Sequence, residues 1–155
     1  MSVSSPSFVI ELPNRRATRQ LARRLAAALR PGDLVILSGP LGAGKTFLVR
    51  ATCRALGLPA SVPVPSPTFT LLHEYDTRVP LVHADLYRLR SAGEVRELGL
   101  DALRDEGRAL LVEWGEPYGA VLGGDALTVT LSVDPRQAEF SAGGERAASL
   151  LGRMS

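Results

Sequence analysis

The sequence has a single cysteine and no long apolar stretch, and both absences exclude classes of protein. Cys53 has no second thiol with which to form an internal disulfide, so the chain is not a disulfide-stapled scaffold and fits a reducing compartment. The first residues lack a basic segment followed by a long apolar run, which predicts neither a signal peptide nor a membrane-spanning helix. We therefore expect a cytoplasmic protein without a membrane partner.

Lysine is almost absent as well. Of the 18 lysine and arginine residues, only Lys45 is a lysine, so arginine has replaced lysine wherever charge alone was needed. A lysine ammonium is a compact charge on a flexible stem that reaches between phosphate oxygens, whereas the planar guanidinium is too broad for a tight glycine loop. The retained lysine therefore marks a position with a specific chemical requirement.

The bulk composition is that of one globular domain. With 155 residues and 45% hydrophobic content, the chain is predicted to form a single domain over residues 1–155, with residues 1–7 flexible. It contains no internal repeat and no long low-complexity tract. A formal charge of +2 is too small to imply nucleic-acid binding by itself, because such binding requires a clustered basic surface.

Hydrophobic periodicity predicts a strand over residues 8–12 and a helix from residue 15 to about residue 30, where Pro31 and Gly32 stop it. The arginines of this helix fall largely off its apolar stripe and give it a basic face. A solvated surface and a surface that binds RNA or a partner both remain open for that face.

The rest of the chain predicts alternating strands and helices. In order, the patterns predict a buried strand at 34–37, a helix at 45–56, an irregular proline-rich segment at 59–67, a hairpin of strands 68–75 and 81–89, a helix at 91–106, strands at 109–114, 127–133 and 137–142, and a helix from 145. This order predicts a three-layer α/β fold with a mixed, mostly parallel sheet, and the glycine-rich motif described next makes it P-loop NTPase-like. Ligands in such sheets bind at the carboxyl ends of the strands.

The strongest motif is the segment G-P-L-G-A-G-K-T, which starts at Gly39 and ends at Thr46. It has the full spacing G-x-x-x-x-G-K-[ST] of a phosphate-binding loop and lies between a predicted strand and a predicted helix. Its glycines allow backbone N–H groups to turn towards phosphate, and the helix that follows presents its positive end to the same anion. We expect Lys45 to reach the terminal phosphates and the Thr46 hydroxyl to bind Mg²⁺.

Two acidic residues end neighbouring predicted strands, where a nucleotide site needs a carboxylate for the metal or its water. Asp85 follows the strand L-V-H-A, and Glu113 follows the strand A-L-L-V. One would bind the ion and the other orient the attacking water, and the sequence leaves open which does which.

Three further features carry weaker signals. Thr68 lies in S-P-T-F, which suits a mobile segment that brings a hydroxyl to a terminal phosphate but equally suits a plain turn before a strand. His83 can orient phosphate or serve structure alone. Trp114, the only tryptophan, can lie against the nucleotide or cap the core.

Taken together, G-P-L-G-A-G-K-T, then S-P-T-F, then H-A-D-L-Y-R-L from His83, then V-E-W from Val112, resemble the TsaE (YjeE) family in order and spacing. The resemblance covers nearly the whole chain, from the first helix to Arg136. It implies a bacterial ATPase that takes part in making threonylcarbamoyladenosine in tRNA together with the partner proteins TsaB and TsaD. Contact with tRNA would be indirect, through the complex, and the oligomeric state stays open, a monomer included.

The resemblance also implies roles for individual residues. Thr68 would be a switch-like hydroxyl, and Asp85 would belong to the essential H-x-D-L-Y-R segment, with a place in hydrolysis and near Mg²⁺. Thr46 and Glu113 would lie near Mg²⁺. The complete set expected to bind ATP or ADP is Thr18, Leu41, Gly42, Ala43, Gly44, Lys45, Thr46, Phe47, Asp85, Trp114 and Arg136, with Lys45, Thr68, Asp85 and Glu113 as the catalytic group.

Two positions of the loop depart from the family pattern. Pro40 stands where the family commonly has aspartate, and Phe47 stands where a small hydroxyl residue is common. Neither side chain is needed to cradle phosphate. Pro40 removes any contact that the family makes through that acid, and Phe47 changes the packing behind the loop.

Two other classes of nucleotide-binding protein also have a phosphate loop. A guanine-nucleotide switch reads its base with N-K-x-D, which is impossible here because Lys45 is the only lysine and Asn14 the only asparagine. A small-molecule kinase needs an acceptor pocket and usually an arginine-bearing lid, and the predicted elements leave no distinct segment to form one. The kinase remains the alternative to the partner-dependent ATPase.

Overall fold

The computed structural model describes residues 7–155. Residues 1–6, and with them most of the expected flexible start, lie outside the described residues. Ser7 already belongs to the first strand. No helix in the described range is long and apolar enough to cross a membrane.

Twelve helices and strands and one short 3-10 turn follow one another along the described chain. The strands are β1 (Ser7–Glu11), β2 (Leu34–Ser38), β3 (Leu72–Tyr75), β4 (Leu81–Asp85), β5 (Ala109–Glu113), β6 (Leu127–Val133) and β7 (Arg136–Ala142). The helices are α1 (Arg15–Ala28), α2 (Lys45–Ala55), α3 (Ala92–Glu97), α4 (Leu100–Asp105) and α5 (Glu145–Arg153), and the 3-10 turn spans Glu116–Tyr118.

The seven strands form one mixed sheet in the order β1-β7-β6-β2-β5-β4-β3. The four central strands β6, β2, β5 and β4 are parallel, whereas the pairs β1–β7, β7–β6 and β4–β3 are antiparallel. The predicted α/β fold with a mixed sheet is confirmed, and its parallel part is this central block. Because parallel strands share their direction, the carboxyl ends of β2, β4, β5 and β6 meet at one edge.

Helices cover both faces of the sheet and give the predicted three layers. Val35 and Leu37 of β2 belong to the core that α1, α2 and α5 cover, whereas Leu34 and Ile36 belong to the core on the face of α3 and α4. Successive residues of a strand point to opposite faces, so a continuous apolar run is needed wherever both faces are buried. The run at β2 therefore places the phosphate loop at the centre of the sheet edge.

The first helix begins and ends close to its predicted bounds. The side chain of Asn14 accepts a hydrogen bond from the backbone N–H of Ala17 at 2.9 Å and so caps the helix. Leu21 and Leu25 are buried against the sheet, while the arginines face outward. The helix ends at Ala28, two residues before the predicted end, because Leu29 takes an extended backbone.

The predicted hairpin is present, but both of its strands are shorter than the pattern indicates. Residues 68–71 form a turn closed by a bond of 2.7 Å from the Leu71 N–H to the Pro67 carbonyl oxygen. After Asp85 the chain turns again, with the Leu89 N–H bonded to the Leu86 carbonyl oxygen at 3.0 Å. Leu86 is buried, whereas Phe69 and Tyr87 are exposed. The apolar pattern therefore continues past the residues that are paired in the sheet, which is why it predicts longer strands.

The single helix predicted over residues 91–106 is wrong, since the structure has two short helices there. Gly99 takes a left-handed conformation with φ 71° and separates α3 from α4. The break lets Val95 on one helix and Leu100 on the other both reach the core below. Strand β5 also ends at Glu113, one residue before its predicted end, because Trp114 has φ 60°.

Gly39, the first residue after β2, supports a prediction about stability. Its φ is +132°, and an added Cβ would lie 2.3 Å from the carbonyl oxygen of Leu131 on β6. We expect Gly39→Ala to lower the free energy of unfolding in urea by about 3 kcal/mol or more, since strained backbone costs about 1–3 kcal/mol before any clash. Gly152→Ala is the control, because its Cβ meets nothing within 4 Å. A similar loss in both variants would contradict the close approach.

Cys53 supports a prediction about reactivity. Its thiol is buried, and burial raises its pKa to about 12. Only the thiolate is nucleophilic, so the folded protein should resist alkylation by iodoacetamide at about pH 8.5, where an ordinary cysteine is half ionised. Unfolding in urea should restore the ordinary rate. Rapid labelling of the folded chain, followed by mass spectrometry, would show that Cys53 is not in the core.

Candidate nucleotide site

The phosphate loop connects the end of β2 to the start of α2, as predicted. Gly42 and Gly44 have positive φ values of 81° and 102°, and no heavy atom lies within 4 Å of a Cβ added at either position. The Leu48 N–H bonds to the Gly44 carbonyl oxygen at 2.9 Å and begins the hydrogen-bond ladder of α2. The first N–H groups of a helix have no acceptor within it, so those of Lys45 and Thr46 are available to an anion.

The side chain of Lys45 is buried against this loop. Its Nζ donates hydrogen bonds to the carbonyl oxygens of Gly39 and of Pro40, the latter at 2.9 Å. Burial lowers the pKa of the Lys45 ammonium, and the negative charges of Glu113, Glu116 and Asp85 oppose that shift. The ammonium therefore stands where a further negative group would stabilise its charge.

Glu113 joins three elements at the end of β5. Its carboxylate accepts hydrogen bonds from the Thr46 hydroxyl at 3.0 and 3.1 Å and from His83 Nε2 at 2.6 Å. Glu113 and His83 are both buried, and His83 Nδ1 has no partner among the described residues. The loop helix α2 and strand β4 are thus tied to the same carboxylate.

Asp85 lies beside Glu113 in the sheet, because the parallel register of β4 and β5 pairs these two residues. Its carboxylate accepts hydrogen bonds from the Thr68 hydroxyl at 3.1 Å and from the Tyr87 N–H at 2.9 Å. The Ser66 hydroxyl lies 3.4 Å from the same carboxylate and 2.8 Å from the Thr68 hydroxyl. The S-P-T-F segment is therefore held to the strand end by its hydroxyl groups.

Trp114 covers the ammonium of Lys45. Lys45 Nζ lies 4.2 Å from the centre of the indole ring, and the Tyr87 ring is tilted by 52° against the indole with centroids 4.9 Å apart. Trp114 is half-buried at the phosphate pocket rather than deep in the core. Of the two sequence interpretations, the position beside the nucleotide loop is the one that fits this geometry.

Two pockets meet at the loop. One, of about 350 Å³, is lined by Leu41, Gly42, Gly44, Lys45, Thr46, Phe47, Ser66, Thr68, Asp85, Tyr87, Glu113 and Trp114. The other, of about 290 Å³, is lined by Leu12, Pro13, Asn14, Arg15, Thr18, Gly42, Ala43, Gly44, Phe47, Leu131, Ser132 and Arg136. Gly42, Gly44 and Phe47 line both, so the two pockets adjoin at the loop.

The second pocket brings together residues that are far apart in the sequence. Thr18 lies on α1 and Arg136 starts β7, and the backbone of Arg136 bonds to the Leu12 N–H at 2.9 Å. Both residues had the weakest motif support, and the structure places both at the loop. All the predicted site residues line one or both of the two pockets.

Several lining residues, among them Ser66, Tyr87 and Ser132, were not predicted as site residues. Ser66 and Tyr87 lie within the S-P-T-F and H-A-D-L-Y-R-L motifs but had no role of their own, whereas Ser132 belongs to no motif and only the fold brings it to the pocket. The contact of His83 with Glu113 is similar, because a single histidine in a strand does not reveal its neighbour. The contact depends on the parallel pairing of β4 with β5, which the sequence patterns did not specify.

Phe47, one of the two departures from the family pattern, has a defined place behind the loop. The guanidinium groups of Arg15 and Arg19 each lie 5.5 Å from the centre of its ring. The ring lines both pockets at the loop and a third depression between α1 and α2. Pro40 contributes its carbonyl oxygen to Lys45, a contact that any residue at that position can make.

The donors at the strand ends fit a magnesium ion that is bound partly by phosphate. No group of three or more histidine, cysteine, aspartate or glutamate side chains is placed to hold a metal within residues 7–155. Mg²⁺ prefers oxygen ligands, keeps several waters, and is usually held by one or two protein groups plus phosphate oxygens. The hydroxyl of Thr46 and the carboxylate of Glu113, 3.0 Å apart, supply such a pair.

The sequence as a whole agrees with this geometry. A sequence model of the family described as Threonylcarbamoyl adenosine biosynthesis protein TsaE matches residues 12–140. The chain belongs to the TsaE family. The resemblance predicted from the four motifs is thereby confirmed, and the TsaE family is a family of threonylcarbamoyladenosine biosynthesis proteins.

Individual TsaE relatives show the same likeness over most of the chain. The tRNA threonylcarbamoyladenosine biosynthesis protein TsaE of Rickettsia felis is 40% identical over 123 residues, which are 79% of this chain and 71% of that protein. The Bacillus subtilis protein of the same name is 36% identical over 146 residues, 92% of this chain and 90% of its own. The crystal structure of Bacillus subtilis YdiB superposes with a TM-score of 0.83 at 30% identity, over 99% of this chain and 97% of that one.

The hydrogen bond between His83 and Glu113 supports a prediction. Replacing His83 by leucine should lower the free energy of unfolding by about 1.5–3 kcal/mol, because a buried carboxylate loses a close donor. His73→Leu is the matched control, since that histidine is half-buried and bonds to Thr70 near the surface. It should change the same quantity by about 0.5 kcal/mol. Equal effects in urea unfolding would show that the His83 contact contributes nothing.

Proposed function

We propose that this TsaE protein binds and hydrolyses ATP with Mg²⁺ and supports formation of threonylcarbamoyladenosine in tRNA together with proteins of the TsaB and TsaD type. The observation that carries the proposal is the pair of pockets that adjoin at the loop, one around Lys45 for phosphates and a second beside it for a nucleoside. The names of the relatives supply the pathway. Contact with tRNA in this function is indirect, and a cytoplasmic location stays a prediction.

The loop binds the phosphates of the nucleotide. The free N–H groups at the start of α2 and the ammonium of Lys45 supply the positive charge, and the positive φ of Gly42 and Gly44 lets the backbone approach closely. The nucleoside enters the second pocket, between Thr18 and Arg136. The indole of Trp114 closes the phosphate pocket on the other side.

Glu113 and Asp85 have different roles in the proposed reaction. Glu113 is bonded to the Thr46 hydroxyl, so this pair would hold the ion, and Asp85 would orient the attacking water. When bound, Mg²⁺ would supply positive charge that offsets the charge on the phosphate oxygens. Asp85 is suited to its role because hydrogen bonds from the Thr68 hydroxyl and the Tyr87 N–H hold its carboxylate at the strand end.

The S-P-T-F and D-L-Y-R segments transmit the state of the nucleotide. Thr68 and Asp85 are bonded to each other, so a change at the terminal phosphate would move both segments together. Leu41 and Tyr87 line the phosphate pocket and are 70% and 53% exposed, and Phe69, which follows Thr68 in the chain, is 83% exposed. Exposed apolar groups at the mouth of a site favour a partner protein that covers it, which supports faster hydrolysis in the presence of partners.

Fluorescence of Trp114 tests binding and base preference together. Phosphate at Lys45 should change the environment of the indole, so ATP and ADP with Mg²⁺ should shift its emission, and GTP should do so only at much higher concentration. The Lys45→Ala variant should lose the response to ATP. An equal response to GTP, or an unchanged response in the variant, would contradict an adenine nucleotide at the loop.

Asp85→Asn separates binding from hydrolysis. The variant should bind ATP as the parent does, because Asp85 does not contact the loop backbone, and should release phosphate about a hundredfold more slowly, because an amide is a poor base. Asp76→Asn, at an exposed turn, is the matched control and should hydrolyse normally. Normal phosphate release by Asp85→Asn would remove the assigned role. Transfer of the phosphate to a small acceptor instead of water would favour a kinase.

A further inference from the structure

The charge of the chain is divided very unevenly between two parts of the sequence. Residues 12–71 contain nine cationic side chains and one acidic side chain, a formal charge of +8. The other residues contain nine cationic and fifteen acidic side chains, a formal charge of −6. The net charge of +2 is therefore the small difference between a strongly basic and an acidic part of the sequence.

Asp33, the acidic residue within residues 12–71, does not offset the positive charge at the surface of this part. Asp33 is 1% exposed and is paired with Arg146 and Arg153, which belong to the other part of the sequence. Helices α1 and α2 contain no acidic residue at all. Within residues 7–155, none of the arginines on these two helices takes part in a salt bridge.

Packing of α1 beside α2 gathers part of this charge into a groove. The groove has a volume of about 320 Å³. Its walls are four arginines from the two helices, and its floor is made of small or flat side chains. The arginines are Arg19, Arg23, Arg50 and Arg54, and the floor is Ala51, Ala55 and Phe47. We call these seven residues the arginine groove.

The hydrogen bonds of the groove arginines do not neutralise their positive charge. Arg50 contacts only the Val64 carbonyl oxygen, at 3.3 and 3.4 Å, and Arg54 contacts the Pro59 carbonyl oxygen. A carbonyl dipole orients a guanidinium without neutralising it. Four uncompensated guanidinium groups around one depression attract an anion that carries several charges along its length.

We propose that the arginine groove is an RNA-binding site, which takes the phosphodiester backbone of tRNA. The groove matches RNA in two respects. Guanidinium groups bind phosphate in a fork. The guanidinium of Arg19 also lies over the Phe47 ring, 5.5 Å from its centre, so the groove holds both kinds of group on which bases stack, an arginine and an aromatic ring. This direct contact goes beyond the indirect contact through the complex and does not depend on ATP hydrolysis.

An acidic protein surface fits the groove less well. Protein interfaces are centred on large apolar or aromatic anchors. The exposed large hydrophobic side chains in the described part of the chain are Val9, Leu41, Phe69, Tyr87 and Val133, and none of them lines the groove. Its floor is alanine and a half-covered phenylalanine, so charge supplies nearly all of the attraction.

The test measures binding of a fluorescently labelled, unmodified tRNA transcript at several salt concentrations. The variant Arg23→Gln/Arg50→Gln removes two charges from the groove and leaves the nucleotide cleft intact. It should bind about tenfold more weakly, and the slope of log K against log salt should fall by about 1.5 to 2, as expected for two lost phosphate contacts. The matched control is Arg90→Gln/Arg96→Gln, two exposed arginines on and before α3, which should leave both quantities unchanged.

Thermal unfolding and the response of Trp114 to ATP should be the same in all three proteins, so a loss of RNA binding is not a loss of fold. Equal weakening by both double variants would mean that total charge, and not the groove, attracts RNA, and would overturn the proposal. So would a parent protein that does not bind the transcript at low salt. Poly-glutamate of similar charge that displaces the transcript completely would assign the groove to an acidic protein instead.

Discussion

The geometry of the site depends on the hydrogen bonds that the carboxylate of Glu113 accepts from Thr46 and His83. This carboxylate is buried at the end of β5 and is bonded to the helix that follows the phosphate loop and to the neighbouring strand β4. A buried carboxylate is costly unless it is bonded, so these contacts fix it at one point. Three further site residues are placed by these contacts. Lys45 precedes Thr46 on α2, Trp114 directly follows Glu113, and Asp85 on β4 pairs with Glu113 in the sheet.

The sequence predicted the fold correctly wherever a residue pattern is compatible with only one structure. The apolar run at β2 requires burial on both faces, and the motif after it requires a tight loop, so the centre of the sheet edge was predictable. The sequence did not predict the fold where a turn interrupts an apolar pattern. The left-handed conformation of Gly99 splits one predicted helix into two, and the turns at residues 68–71 and after Asp85 shorten the hairpin, because periodicity reports burial and not hydrogen bonding.

The candidate site was predictable where chemistry restricts the residue type. Lys45 is the clearest case, since a single lysine remained in an arginine-rich chain. The contacts of His83 with Glu113 and of Ser66 with Asp85 were not predictable, because they depend on the register of parallel strands. The polarised charge was present in the sequence, but only the packing of α1 on α2 shows that the arginines enclose a groove rather than a dispersed surface. Phe47 lies between this groove and the nucleotide cleft and lines both.

The central claim is that an adenine nucleotide lies across the loop, with its phosphates at Lys45 and its base between α1 and β7. A crystal structure with Mg²⁺ and a non-hydrolysable ATP analogue tests it most directly. The account predicts phosphates bound by the N–H groups of residues 42–46, the ion at Thr46 and Glu113, and the base beside Thr18 and Arg136. A nucleotide bound elsewhere, with Lys45 still bonded only to the carbonyl oxygens of Gly39 and Pro40, would contradict it.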